Sequence, residues 1–115
     1  MRHNKYSNKK TSVDGIIFDS RAEARRYREL KLMEQAGLIK SLILQPKFLL
    51  QDKFKYKGRT YRKIEYIADF EYIETATGEI VVEDVKGMKT DVFKLKMKMF
   101  LKLYGDTIIF KIVKR

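Results

Sequence analysis

Residues 64–86 read IEYIADFEYIETATGEIVVEDVK and hold seven of the chain's 15 acidic residues but only one of its 26 lysines and arginines. The acids are Glu65, Asp69, Glu71, Glu74, Glu79, Glu83 and Asp84, and the cation is Lys86. Strand-favouring Ile, Val, Tyr and Phe surround these charges, with the turn signal Thr75-Ala76-Thr77-Gly78 between two apolar runs. The stretch therefore predicts two strands, Tyr66 to Ile73 and Glu79 to Lys86, closed by a four-residue loop. Such a loop pairs Glu74 with Glu79, and counting outward sets Asp69 opposite Asp84. Directly opposed residues leave a sheet on one face with Cβ atoms roughly 4.5 to 5.5 Å apart, where two like charges destabilise the pair unless a proton or a cation lies between them. Lys86, two residues beyond Asp84, shares that face.

Outward from this hairpin, the pattern continues as alternating helices and strands. Ser20 to Ala36 predicts a helix stopped by Gly37, with Ser20 at the N-cap and Glu23 at capping-box spacing. Glu23 shares a face with Tyr27 and Leu30, while Arg21, Arg25 and Arg28 lie opposite. Leu42 to Gln51 reads as a strand in which Pro46 forces an edge position or a bulge, and Lys53 to Lys63 as a basic loop or ragged hairpin. Thr90 or Asp91 caps a second helix running to Tyr104. Its apolar face is Phe93, Met97, Phe100, Leu101 and Tyr104, with Leu95, Met99 and Leu103 making much of the other side apolar, as a dimer contact would require. Thr107 to Val113, apolar on both faces, predicts a central strand covered by helices. The order is helix, three strands, helix, strand. Residues 1–15 read as a basic, mobile arm, and residues 16–115 as a single domain.

Composition narrows the chemistry. At 115 residues and 44% apolar content the chain suits one compact domain. A net charge of +11 favours a phosphate backbone as partner over a lipid surface. No apolar run approaches the roughly 20 residues that span a bilayer, and the start lacks a signal-peptide core, so a soluble, cytoplasmic protein is expected. Cysteine is absent and His3 is the only histidine, which removes thiol catalysis, thiolate zinc and sites needing several imidazoles within one chain. A metal here is oxygen-ligated, which points to Mg²⁺ or Mn²⁺. Two opposed aspartates and a lysine are the parts phosphodiester cleavage needs: carboxylates to place a metal that polarises the phosphoryl oxygen, and a cation to position the attacking water.

Asp69, fourteen intervening residues, then Asp84-Val85-Lys86 within this element order resembles the PD-(D/E)XK motif of the restriction-endonuclease-like nuclease superfamily. The stretch from Lys5 to about Tyr104 is also similar to a family of short, poorly characterised bacteriophage proteins assigned to that superfamily. The shared features are Phe18-Asp19-Ser20 through Glu23, Gln45-Pro46, Tyr66-Ile67-Ala68-Asp69-Phe70 and Glu83-Asp84-Val85-Lys86-Gly87. Ala68 stands where the literal motif has proline. The resemblance implies an α/β restriction-endonuclease-like core, a mixed sheet flanked by helices. It also implies metal ligation by Asp69 and Asp84, joined by the Val85 carbonyl, water activation by Lys86, and assistance from Glu23.

Each position also has a plainer use. Glu23 completes a capping box, Asp84 and Lys86 could form a surface ion pair, and Glu71 is a solvated neighbour of Asp69. Tyr6, Tyr56, Tyr61 and Tyr66 are candidates for stacking on unpaired bases or for ordinary packing. Lys9, Lys10, Arg21, Arg25, Lys94, Lys96 and Lys98 are the candidate phosphate contacts. The expectation is a Mg²⁺-dependent phage DNA endonuclease, dimeric by analogy with small junction resolvases and reading branched DNA by shape. The alternative is a basic phage protein that binds nucleic acid without cutting it.

Overall fold

The computed structural model describes residues 10–115. In chain order they form the hairpin β1 (Thr11–Val13) and β2 (Ile16–Phe18), helix α1 (Arg21–Gln35), strands β3 (Ile39–Leu44) and β4 (Lys47–Gln51), and the hairpin β5 (Phe54–Tyr56) and β6 (Arg59–Tyr61). Strands β7 (Ile64–Ile67), β8 (Phe70–Glu74) and β9 (Ile80–Lys86), helix α2 (Asp91–Tyr104) and strand β10 (Ile108–Lys114) complete the chain. The result is a mixed α/β protein. Its central sheet runs β10-β9-β8-β3, with β9 parallel to β10 and antiparallel to β8, and β8 antiparallel to β3. The helices and the strands of this sheet follow one another as helix, three strands, helix, strand.

Local chemistry sets these elements. Ser20 Oγ accepts the Glu23 N–H at 3.1 Å and Thr90 Oγ1 the Phe93 N–H at 3.1 Å, so both helices begin on hydroxyl caps. Gly37, at φ +77°, supplies the left-handed residue that ends α1. Helix α1 buries Ala24, Tyr27 and Leu30 against Ile39, Phe70, Tyr72, Val81 and Val85 on one side of the sheet. Helix α2 buries Phe93 and Phe100 with Leu50, Tyr66, Ala68 and Val82 on the other. Among the described residues, no helix is long and apolar enough to cross a membrane.

Several expectations are corrected. The single strand expected over Leu42 to Gln51 divides at Gln45-Pro46, because Pro46 has no N–H to donate and Gln45 turns to φ +50°. Strand β3 stays in the central sheet while β4 leaves it to pair with β7. The strand expected over Tyr66 to Ile73 divides likewise, at Ala68-Asp69. The two breaks face each other: Gln45 N–H bonds Asp69 O at 3.0 Å and Ala68 N–H bonds Pro46 O at 3.1 Å. One paired ribbon thus peels off the sheet, and Asp69 sits where it leaves.

Strand β10 is an edge strand, not a central one. It is apolar on both faces because Ile109 and Val113 pack toward the α1 side while Ile108, Phe110 and Ile112 pack toward the α2 side; nothing in the alternation reports whether a further strand lies beyond. The boundary expected at residue 15 falls inside the β1–β2 hairpin, whose turn is Asp14 (φ +53°) and Gly15 (φ +75°). The rest of the expected arm, with Tyr6 and Lys9, lies outside the described residues.

Candidate functional site

Strand pairing places the central aspartates. The β8–β9 register runs from Ile73↔Ile80 to Phe70↔Glu83, and Asp69 N–H donates to Glu83 O at 3.0 Å. The regular register ends there: Asp69 lies one residue beyond, at the bend between β7 and β8, and its bond to the Glu83 carbonyl is displaced by one residue from the ladder. The direct opposition of Asp69 and Asp84 expected from the loop length gives way to a bend that keeps Asp69 within reach of the Asp84 charge. Because the ribbon departs here, the Val85 N–H has no backbone acceptor on β8, and the Asp69 Oδ2 takes it at 2.6 Å. The N–H and C=O of one strand residue point to the same side, so the Val85 carbonyl also faces the gap left by the ribbon.

Asp84 is 2% exposed. Its Oδ2 accepts a short hydrogen bond from the Tyr66 hydroxyl, and burial, followed by this carboxylate, raises the Tyr66 phenol well above its ordinary value, which keeps it a donor. Asp84 Oδ1 is buried with no hydrogen-bond partner. Lys86 Nζ stands 3.3 Å from it, an ion-pair distance without hydrogen-bonding geometry, and lies 4.8 Å from the centre of the Phe93 ring. Burial and then the Asp84 and Glu23 charges push the Asp69 carboxyl up to about 8, against the smaller opposing effects of the Val85 N–H and Lys86. Glu23 is raised as well, by burial first and then by Asp19, with Asp84 adding to the rise and Arg115 and Lys86 opposing it. Glu23, Gln45 and Asp69 line one cleft of about 200 Å³ walled by Ile16, Ile17 and Phe18 of the first hairpin. Glu23, Asp69, Asp84 and Lys86 therefore act on one another electrostatically across three elements.

A divalent cation fits this donor set in a specific way. Among the described residues, no three acidic or imidazole side chains converge as a ready-made metal cage. What the site offers is a buried oxygen on Asp84 with no hydrogen bond, ion-paired to Lys86, a second carboxylate that resists ionisation beside it, and the Val85 carbonyl. Mg²⁺ is commonly held by one or two carboxylates, with water and substrate phosphate filling the remaining positions, so a site of two aspartates suits it.

The other sequence candidates spread over the surface. Lys10, Arg21, Arg25, Lys94 and Lys98 are exposed and Lys96 is half-buried. Glu71 is half-buried. Tyr66 is 3% exposed, so it supports Asp84 and is not available to stack on a base. Sequence reasoning missed that support, along with a buried network on the opposite face. There Glu83, fully buried, accepts Arg26 Nε and Nη2 at 2.7 Å each, and the Tyr72 hydroxyl as well. The signal for it was available: Glu83 must point away from Asp84 in a strand, hence into the α1 side of the core, where a buried carboxylate needs a cation.

Fold and site together define a mixed α/β protein with a carboxylate and lysine cluster at the point where its central sheet splits. Residues 3–115 match the family described as protein of unknown function (DUF1064), and the chain belongs to that family. No curated protein and no solved structure matches the chain.

Proposed function

We propose that the protein is a divalent-metal-dependent endodeoxyribonuclease with a restriction-endonuclease-like core, cutting phosphodiester bonds in branched DNA as a dimer. The observation that carries this reading is the buried Oδ1 of Asp84, which accepts no hydrogen bond and is met by the Lys86 ammonium at 3.3 Å, beside a second aspartate that resists ionisation. Two carboxylates brought together under burial repel each other, and a bound cation would relieve that repulsion. Asp69, Asp84 and the Val85 carbonyl would hold Mg²⁺ or Mn²⁺, which supplies Lewis-acid polarisation of the phosphoryl group.

The protein's own groups supply the rest. Tyr66 fixes the rotation of Asp84 by occupying Oδ2, which leaves Oδ1 turned toward Lys86. The Lys86 ammonium, steadied over Phe93, attracts the phosphate and orients water for attack on phosphorus. As the new P–O bond forms and the bond to the leaving oxygen breaks, the water proton must go to a base and the leaving oxygen takes a proton from solvent. Glu23, which lines the same cleft as Asp69 and whose carboxyl burial and then Asp19 make more basic, suits that task. The net charge of +11 would retain the polyanion around the site.

The test is incubation of purified protein with branched, linear and single-stranded DNA, with and without Mg²⁺ or Mn²⁺. Cutting that requires the metal and disappears in Asp84→Asn, while DNA binding persists, supports the reading. Equal binding by both proteins with no cutting of any substrate makes this a binding protein instead.

A further inference from the structure

Residues 51–63 are exposed without exception, and the hydrophobic cores stop on either side of them, at Leu50 and Ile64. Core burial gives no reason to place large aromatic side chains here, and cross-strand pairing accounts only for Phe54 with Tyr61. Yet the hairpin β5–β6 carries Phe54, Tyr56 and Tyr61, which are 46%, 58% and 39% exposed.

Register shows how they are arranged. Phe54 pairs with Tyr61, and Tyr56 with Arg59, so all four side chains leave one face of the hairpin. The Phe54 and Tyr61 rings stack with centres 5.1 Å apart and planes 11° from parallel. Lys57 lies 5.4 Å over the Tyr56 ring and Arg59 5.4 Å over the Tyr61 ring. The turn is tight, with Lys57 at φ +49° and Gly58 at φ +78°, the left-handed pair that matches strand twist. Lys55 and Thr60 occupy the reverse face, and Lys53, Thr60, Arg62 and Lys63 border an open hollow of about 440 Å³ with Asp52. From residue 53 to residue 63 there are six cations and no acid.

One face of ring systems, bordered by cations and backed by a basic hollow, matches nucleic acid whose bases are unpaired: rings take the bases, ammonium and guanidinium groups take the phosphates. A duplex hides its base faces and would use only the charges. An acidic protein would also answer the cations, but the net charge of +11 over the whole chain favours a polyphosphate. We infer that the β5–β6 hairpin grips unpaired nucleotides of DNA by stacking them on Phe54 and Tyr56, the Tyr61 ring being taken up by Phe54 and Arg59. The choice of DNA over RNA rests on the nuclease reading; the grip itself does not. Strands β4 and β7 connect the hairpin to the point where Asp69 leaves the ribbon, no more than roughly 26 Å of extended chain from Tyr61. The hairpin therefore deepens the proposed substrate class, as DNA with single-stranded character beside the cut.

Binding of the full chain in EDTA, where no cutting occurs, tests this by fluorescence anisotropy. The probes are a labelled oligothymidylate of about 20 nucleotides, its duplex with oligoadenylate, and the matching oligouridylate. Tyr56→Ala should weaken binding to the single strand about tenfold and binding to the duplex less than about twofold, with the salt dependence unchanged. Tyr56→Phe should retain wild-type binding. Lys55→Ala, on the reverse face, should weaken single strand and duplex alike. No loss in Tyr56→Ala, or an equal loss on both DNA forms, overturns the grip; tighter binding of oligouridylate than of oligothymidylate overturns the choice of DNA. Because binding is read without cleavage, an inactive protein that passes this test refutes only the nuclease reading, and an active one that fails it refutes only the grip.

Discussion

Replacing Asp69 with asparagine should stabilise the metal-free protein at pH 8. The Asp69 carboxyl is held at about 8 against an ordinary 3.8, by burial first and the Asp84 charge second. The folded value exceeds the unfolded one, so between about pH 4 and pH 8 the folded chain holds a proton that the unfolded chain has released. Stability from this group is therefore greatest at the acid end and falls as pH rises through the window. At about 1.4 kcal/mol per pH unit the ionised carboxyl would cost up to ~6 kcal/mol, and screening at this half-buried position lowers this to roughly 2 kcal/mol. Asparagine removes the charge yet keeps an oxygen for the Val85 N–H. For a domain of this size the gain is roughly 8 °C in melting temperature. Thermal melting in EDTA at pH 5, 6.5 and 8 measures it: the wild type should lose stability toward pH 8 and recover it on adding Mg²⁺, which binds only the folded form. Asp69→Asn should change little with either. A variant that melts at or below the wild type at pH 8 in EDTA refutes the reasoning.

Arg26→Ala strands the fully buried Glu83 carboxylate without its two charge-assisted bonds, and chemical denaturation should register a loss of about 3 to 5 kcal/mol. Tyr66→Phe deprives Asp84 Oδ2 of its donor; a stability loss of about 1 to 3 kcal/mol is expected, with DNA cleavage falling through kcat more than through KM. Lys94→Ala combined with Lys98→Ala removes two exposed charges from α2, and the slope of log affinity for duplex DNA against log salt should drop by about 1.8 if both meet phosphate.

The sequence made the two caps, the 75–78 turn and the alternation across β8 and β9 legible, because each is fixed by residues within a few positions of one another. Those local rules gave the β8–β9 register as far as Phe70↔Glu83, one residue short of the two aspartates. The division of the sheet at Gln45-Pro46 and Ala68-Asp69 was only half visible. Pro46 announced an irregularity, but Ala68-Asp69 breaks because its partner strand does, which is a relation between distant segments. The placement of β10 at an edge was hidden for a similar reason, since apolar residues on both faces report the layers above and below and say nothing about lateral neighbours. Whether Tyr66 stacks on a base or packs stayed open in the sequence because its burial comes from α2, through Phe93 and Phe100. Alternation turned Glu83 into the core, but its partner Arg26 is 57 residues away in sequence and nothing local named it.

The account turns on whether Asp69 and Asp84 hold a divalent cation. At 13.7 kDa the protein suits amide NMR, and Mn²⁺ at a low molar ratio broadens the signals of residues near the bound ion. Broadening centred on Asp69, Asp84 and Val85, and abolished in Asp84→Asn, is the predicted result. Broadening confined to surface acids such as Glu29, Glu34 and Asp106, with the signals of residues 68–70 and 84–86 sharp, would contradict it.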